Sequence, residues 1–214
     1  MIDYFESSEG AAPPSELFCS EKPLYVLASH RHRDHFSPAV LTWQEKKDDI
    51  IYVFSSDIAN RPKGCIVLSP GEVYEDGALR ISAFGSTDEG VSFALECGGS
   101  KVFHAGDLND WHWTGESTEE EMAAMQQAFE EILASIAAKY PAFDLACFPV
   151  DPRMEGDYAR GAKEFLARVR CRVFVPMHFW GNFSAAAAFA PAALAAKARF
   201  FCPQAPGDCL TLDE

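Results

Sequence analysis

Short apolar runs of strand length, broken by Gly and Pro, occupy the first half of the chain. Leu24 to Ala28 and Ile50 to Phe54 are the first two. Cys65 to Leu68, Leu79 to Phe84, Val91 to Glu96 and Lys101 to His104 follow, and the stretch from Cys65 to Lys101 reads as a β-meander. Between the first two runs, Ser37-Pro38 offers an N-cap followed by proline at the first helical position, which predicts a helix from about Pro38 to Lys47. From Ser117 the period changes. Ser117-Thr118-Glu119-Glu120 matches a capping box, and Met122, Met125, Phe129, Ile132, Leu133 and Ile136 recur at helical spacing as far as Pro141. Strands and helices then alternate: Leu145 to Val150, helix Tyr158 to Val169, strand Cys171 to Pro176, and an alanine-rich helix Ser184 to Ala198. Short strands near Arg199 to Cys202 and Cys209 to Leu212 would close the chain. Met1 to Glu21, polar and carrying Gly10, Pro13 and Pro14, reads as a loose arm on a single domain spanning 1–214. Strand-rich halves with helices outside suit a two-sheet layer fold.

One window interrupts this pattern with chemistry. His30-Arg31-His32-Arg33-Asp34-His35 places three imidazoles and a carboxylate directly after the first strand. Extended backbone puts i and i+2 on one side, so His30 and His32 can face one ion, and a turn after them aims Asp34 and His35 at a second point. Borderline divalent ions favour these donors, and open sites activate water. Further on, Asp107 follows a strand and a glycine, and Pro176-Met177-His178 follows another strand, so both can project into a cleft.

Composition narrows the setting. The chain has 214 residues, 48% of them hydrophobic, enough for a proper core. Neither an apolar stretch of membrane-spanning length nor a signal segment is evident, so no membrane association and a cytoplasmic location are expected. The seven cysteines include no Cys-x-x-Cys pair and suit reduced thiols. A formal net charge of −14 disfavours nucleic acid as a partner and leaves a small-molecule substrate as the expectation.

With these residues in view, the chain resembles the metallo-β-lactamase-fold hydrolases. His30-x-His32-x-Asp34-His35 matches that family's signature, Gly106-Asp107 its bridging aspartate, and Pro176-Met177-His178 its last histidine segment. The resemblance runs from about Leu24 to Leu212. It implies an α+β fold, a four-layer αββα sandwich with metals at one edge between the sheets. It further implies one or two divalent ions, zinc foremost with manganese or iron as alternatives. His30 and His32 would serve the first site, Asp34, His35 and His178 the second, and Asp107 would bridge them. Asp34 or Asp107 would steer the proton of the attacking water.

Two departures stand out. The family places a further histidine in a Gly-His-Thr turn, and here the matching stretch is Gly85-Ser86-Thr87-Asp88, so Ser86 stands in its place. Solvent, Asp88 or His104 would have to replace it, with a role in packing or behind a ligand favoured for His104. Family members also open with a β-hairpin ahead of a segment like Ile2-Asp3-Tyr4-Phe5, where this chain begins. Either Met1 is not the natural start or one sheet lacks its first strands, and the open edge would invite homo-oligomers.

For the substrate, Asn109-Asp110-Trp111-His112-Trp113 follows the bridging aspartate at once. Trp111 and Asn109 are expected to line the cleft mouth, His112 to protonate a leaving group, and Arg153 to clamp an anion, its rival reading being an ion pair with Asp151 or Asp157. The function expected is metal-dependent hydrolysis of an ester, lactone or phosphodiester bond. A metal-binding protein of the same fold with little or no turnover, and an RNA-processing nuclease, are the alternatives.

Overall fold

The computed structural model describes residues 1–5, 13, 15–205 and 207–212. Its elements are α1 (Glu16–Cys19), β1 (Leu24–Ala28), β2 (Ile50–Ser55), β3 (Ile66–Leu68), β4 (Val73–Glu75), β5 (Leu79–Phe84), β6 (Ser92–Cys97), β7 (Ser100–His104), α2 (Glu119–Lys139), β8 (Ala142–Pro149), α3 (Arg160–Arg168), β9 (Arg170–Met177), α4 (Phe183–Ala187), α5 (Ala190–Ala195) and β10 (Arg199–Phe200). Two 3-10 helices, Pro38–Glu45 and Pro152–Asp157, complete the set.

Strands β1-β2-β3 form a small parallel sheet, and β10-β9-β8-β7-β6-β5-β4 a larger mixed one. Period-2 alternation divides each strand between two cores. Leu24, Val26 and Ala28 of β1, with Tyr52 and Phe54 of β2, face an outer layer built around Val40 and Trp43. Leu27 and Val53 face inward and meet Leu79, Ile81, Ala83, Phe93 and Leu95 of the large sheet. The opposite face of that sheet, through Phe84, Ala94, Phe103, Phe148 and Phe174, packs on Phe129, Leu133 and Ile136 of α2, Phe165 of α3 and Ala193 of α5. Three cores between four layers are the αββα sandwich expected from the resemblance. No helix among the described residues is long and apolar enough to cross a membrane.

Several sequence expectations are corrected. The capping box sits one residue later, with Thr118 as N-cap and Glu121 at N3. The helix expected over Ser184 to Ala198 is two short ones, because Pro191 has no N–H to donate and its ring clashes with the preceding turn. The segment from Pro38 is a 3-10 helix. Cys65 to Leu68 is not part of the meander: Ile66–Leu68 pairs parallel to β2 in the small sheet, and β4 takes the outer place beside β5. Cys209 to Leu212 belongs to no strand. The arm read over 1–21 falls partly on residues 6–12 and 14, outside the described residues. Of the rest, Ile2 bridges Leu27, the Asp3 carboxylate accepts from the Ser29 amide at 2.7 Å, and Glu16–Cys19 is helical, so these positions are held rather than loose.

Candidate metal centre

The ligating side chains all leave the carboxyl ends of strands at one edge of the sandwich. β1 delivers Ser29 and His30, and the chain then turns, with the His35 and Phe36 amides both donating to the His32 carbonyl. β7 delivers Asp107 through Gly106, whose φ of +54° suits glycine and whose added Cβ would press on the Ser29 side chain. β9, parallel to β8, delivers His178, held at φ +58°. A left-handed conformation at a non-glycine residue costs free energy, and such strain is tolerated where the position matters to function.

Two groups of ligand atoms converge. His30, His32 and Asp107 form one, Asp34, His35 and His178 the other. His30 Nε2 lies 3.0 Å from His32 Nδ1 and 3.2 Å from Asp107 Oδ2. His35 Nε2 lies 3.0 Å from His178 Nε2, 2.9 Å from Asp107 Oδ1 and 3.5 Å from Asp34 Oδ2. The other oxygen of Asp107 thus addresses the first pair of rings while Oδ1 addresses the second, at 2.7 Å from His178 Nε2.

The donors present fit divalent cations. Two ring nitrogens 3.0 Å apart repel unless a proton or a cation stands between them. Asp107 Oδ1 is buried with no well-aligned hydrogen-bond partner among the described residues, and desolvating a charged oxygen without compensation is costly. Ligands at about 2.1 Å from a tetrahedral ion are separated by roughly 3.4 Å, close to the spacings found.

Behind the ligands sit carboxylates that aim them. Asp3 Oδ2 lies 2.7 Å from His35 Nδ1, and the Ser29 hydroxyl donates to the same oxygen at 2.6 Å while contacting His30 Nδ1 at 3.0 Å. Asp151 Oδ2 lies 3.5 Å from His178 Nδ1. Carboxylate partners of this kind fix ring orientation and raise ligand basicity. The charges respond accordingly. Burial works against protonation of His35, but hydrogen bonds to Asp107, Asp3 and Asp34 overcome it and push the imidazole up to about 12. His178 is raised to about 9, with Asp107 and Asp151 outweighing burial. Burial would raise the Asp107 carboxyl, yet His178, His30 and His35 hold it far below the carboxylate range. The hydrogen bond to His35 lowers Asp34 to about 2. Asp3→Ala is expected to weaken cation binding about 10- to 100-fold by freeing His35 to rotate. Equilibrium competition against a chelator measures it, and unchanged affinity would remove Asp3 from the centre.

The residues expected to meet substrate are less uniform. Trp111 is buried, donates its indole N–H to the Asp107 carbonyl at 2.9 Å, packs 5.9 Å from the His178 ring and stacks on Trp113. Arg153 takes the rival reading: its Nε donates to both oxygens of Asp151 at 2.9 and 3.0 Å, and its guanidinium lies over Trp180 and Trp113. Asn109 is a correction. It is 1% exposed, its amide nitrogen donating to Met154 Sδ and its Oδ1 filling the space a side chain at Gly161 would need, so it packs α3 rather than lining the cleft. His112 has no hydrogen bond or ion pair to either ligand group among the described residues. His104 is buried, accepts from the Gly106 amide at 3.2 Å, and lies 3.7 Å from Asp3 Oδ2, behind the ligands.

Sequence reasoning missed two of the aiming groups. Asp3 is remote in sequence from His35, and its only signal was a strand-end segment of familiar form. Asp151 was visible only as a neighbour of Arg153.

Comparison with known proteins supports the same reading. No protein-family model matches the chain. A metal-dependent hydrolase of Symbiobacterium thermophilum is 27% identical over 198 residues, covering 86% of this chain and 76% of that protein. A metallo hydrolase from the archaeon Ignicoccus hospitalis superposes with a TM-score of 0.64 at 19% identity, covering 97% of this chain and 87% of that one. A metallo-β-lactamase fold protein of Bacillus subtilis superposes with a TM-score of 0.58 at 14% identity, over 88% and 79% of the two chains. With its sandwich and its edge-of-sheet ligand groups, the chain has the metallo-β-lactamase fold and is similar in sequence to a metal-dependent hydrolase.

Proposed function

We propose that the protein is a zinc-dependent hydrolase acting on an ester, lactone or phosphodiester bond of a small molecule. The observation that carries this reading is the division of Asp107 between two pairs of imidazoles, one carboxylate oxygen to each. His30, His32 and Asp107 would hold one cation, and Asp34, His35, His178 and Asp107 a second. Bound there, the ions would supply a water acidic enough to attack at neutral pH and would stabilise charge on the scissile group.

The chain's own groups divide the remaining work. Asp3 holds His35 in place, and Asp151 lies 3.5 Å from His178 Nδ1 while bound to Arg153. Asp34, one-third exposed and ionised at neutral pH, would orient the attacking water and take its proton on the carboxylate oxygen that does not face His35. His112 would protonate the leaving group only by reaching a cluster it does not touch here. Trp111 and Trp113 present a flat wall beside His178, and the half-exposed Arg153 guanidinium offers a contact for a carboxylate or phosphate. The net charge of −14 argues against a polynucleotide substrate and so against the nuclease alternative. Seven unpaired cysteines suit a reducing compartment, and we place the protein in the cytoplasm.

Elemental analysis of protein purified under metal-replete conditions, followed by p-nitrophenyl acetate and bis(p-nitrophenyl) phosphate as reporters, tests the proposal. Turnover abolished by chelation and restored by zinc is expected. Bound metal without turnover on any ester would favour a binding protein instead, and protein carrying no transition metal would sink the hydrolase reading.

A further inference from the structure

The first cation site has only three donors from the histidine motif and Asp107, whereas the second has four. Ser86, standing where the family's histidine belongs, does not fill the gap. Its Oγ accepts from the Asp88 amide at 3.3 Å, which makes a tight turn and turns the next carboxylate toward the histidines. Asp88 Oδ2 lies 3.7 Å from His32 Nδ1, the same nitrogen that faces His30 and Asp107. That separation sets the carboxylate beside the first site but outside the tight group of His30, His32 and Asp107, so a turn of this exposed side chain brings it to the ion.

We infer that Asp88 is the fourth protein ligand of the first site. The loop carrying it is clamped from both sides. Thr87 Oγ1 donates to the Asn109 carbonyl at 2.5 Å and accepts from the Asn109 amide at 2.9 Å, two residues beyond Asp107. On the other side the Val91 amide donates to the Ser29 carbonyl at 2.9 Å. Gly90, at φ +69°, lies so close that any Cβ would overlap the Ser29 carbonyl and the His30 Cβ. The backbone at Asp88 is therefore held between the bridging aspartate's turn and the histidine motif, while its exposed side chain is free to turn toward the ion.

Glu89 completes the arrangement on the far side of the same ring. Its Oε2 lies 3.6 Å from His32 Nε2 and is buried with no hydrogen-bond partner, while Oε1 pairs with Arg31. His32 thus has one carboxylate on its ligating face and another on its outer face, the pairing that orients metal-bound imidazoles. His104, the other group considered for the vacancy in the ligand set, lies on the Asp3 side, behind His35.

The inference rests on the two-cation reading of the site, and the test separates the two. Wild-type protein and Asp88→Asn, stripped with chelator and titrated with cobalt(II), are followed by the visible spectrum of the bound ion and by chelator competition. Two ions are expected in the wild type. In Asp88→Asn the weaker one should lose at least about tenfold in affinity with the tighter one unchanged, and Asp88→His should restore it. Because Asp88 is surface-exposed, all three proteins, stripped of metal, should share one unfolding midpoint. Gly90→Ala, which pushes the loop away, should weaken the same ion. Equal affinities in wild type and Asp88→Asn, whether one ion or two are bound, would overturn the assignment. A wild type that binds no cobalt would instead remove the two-cation reading, and the assignment with it.

Discussion

Asp107→Ala is expected to strip the protein of both cations and to reduce hydrolysis of ester and phosphodiester reporters by about a thousandfold or more. Metal stabilisation of transition-state charge is worth several kcal/mol, and each 1.4 kcal/mol is tenfold in rate. The breadth of the effect follows from geometry. Among the described residues, Asp107 is the one carboxylate whose two oxygens lie within 3.2 Å of nitrogens from both ligand groups. Removing any single histidine should empty one site and weaken its neighbour, but removing Asp107 takes an oxygen from each. It also leaves His35 and His178 facing each other across a buried space without the carboxylate that offsets their charge. Leaving such groups uncompensated costs several kcal/mol, so the unfolding midpoint should fall as well. Metal content, far-ultraviolet circular dichroism and turnover on the same preparation separate the causes. A folded Asp107→Ala protein that retains both ions would show that the bridge is not Asp107.

Much of this centre was legible because its ligands lie where the chain's pattern is simplest. Leu24–Ala28 is a short buried strand whose limits the apolar run marks on its own, and the histidine motif begins two residues after it ends. Asp107 and His178 could be placed for the same reason, each following a strand whose apolar run was visible. The aiming carboxylates were not legible, because Asp3 meets His35 only once the first residues are laid along β1, a long-range pairing that no local pattern encodes. Asn109 failed in the opposite way. Proximity in sequence to Asp107 suggested a cleft position, but the turn after the aspartate directs that side chain into the packing against Gly161 of α3. The alanine-rich stretch near the end misled because propensity favours helix at nearly every position, whereas one proline, Pro191, decides where the helix must restart.

Apparent affinity for the cation of the second site should climb steeply with pH, by about hundredfold per unit between pH 6.5 and 9 and about tenfold per unit above 9. The reason is competition with protons. Without a cation between them, His35 and His178 hold protons, because carboxylates on either side raise the first to about 12 and the second to about 9. A cation must displace both, and each proton released contributes one power of ten per pH unit until its own pKa is passed. Stability of the metal-free protein runs the other way. Both folded-state values lie above the ordinary 6.5, so the stabilisation from protonated His178 is complete below pH 6.5 and is lost as pH rises through 9, while that from His35 persists to about 12. Raising the pH therefore weakens the chelated protein, whereas in the loaded one the gain in affinity offsets that loss and stability changes little above pH 6.5. Unfolding midpoints measured with chelator and with zinc at pH 6, 7.5 and 9 should diverge progressively. A constant difference across that range would mean that the two imidazoles are already neutral before the metal arrives, and that Asp3, Asp151 and Asp107 orient them without charging them.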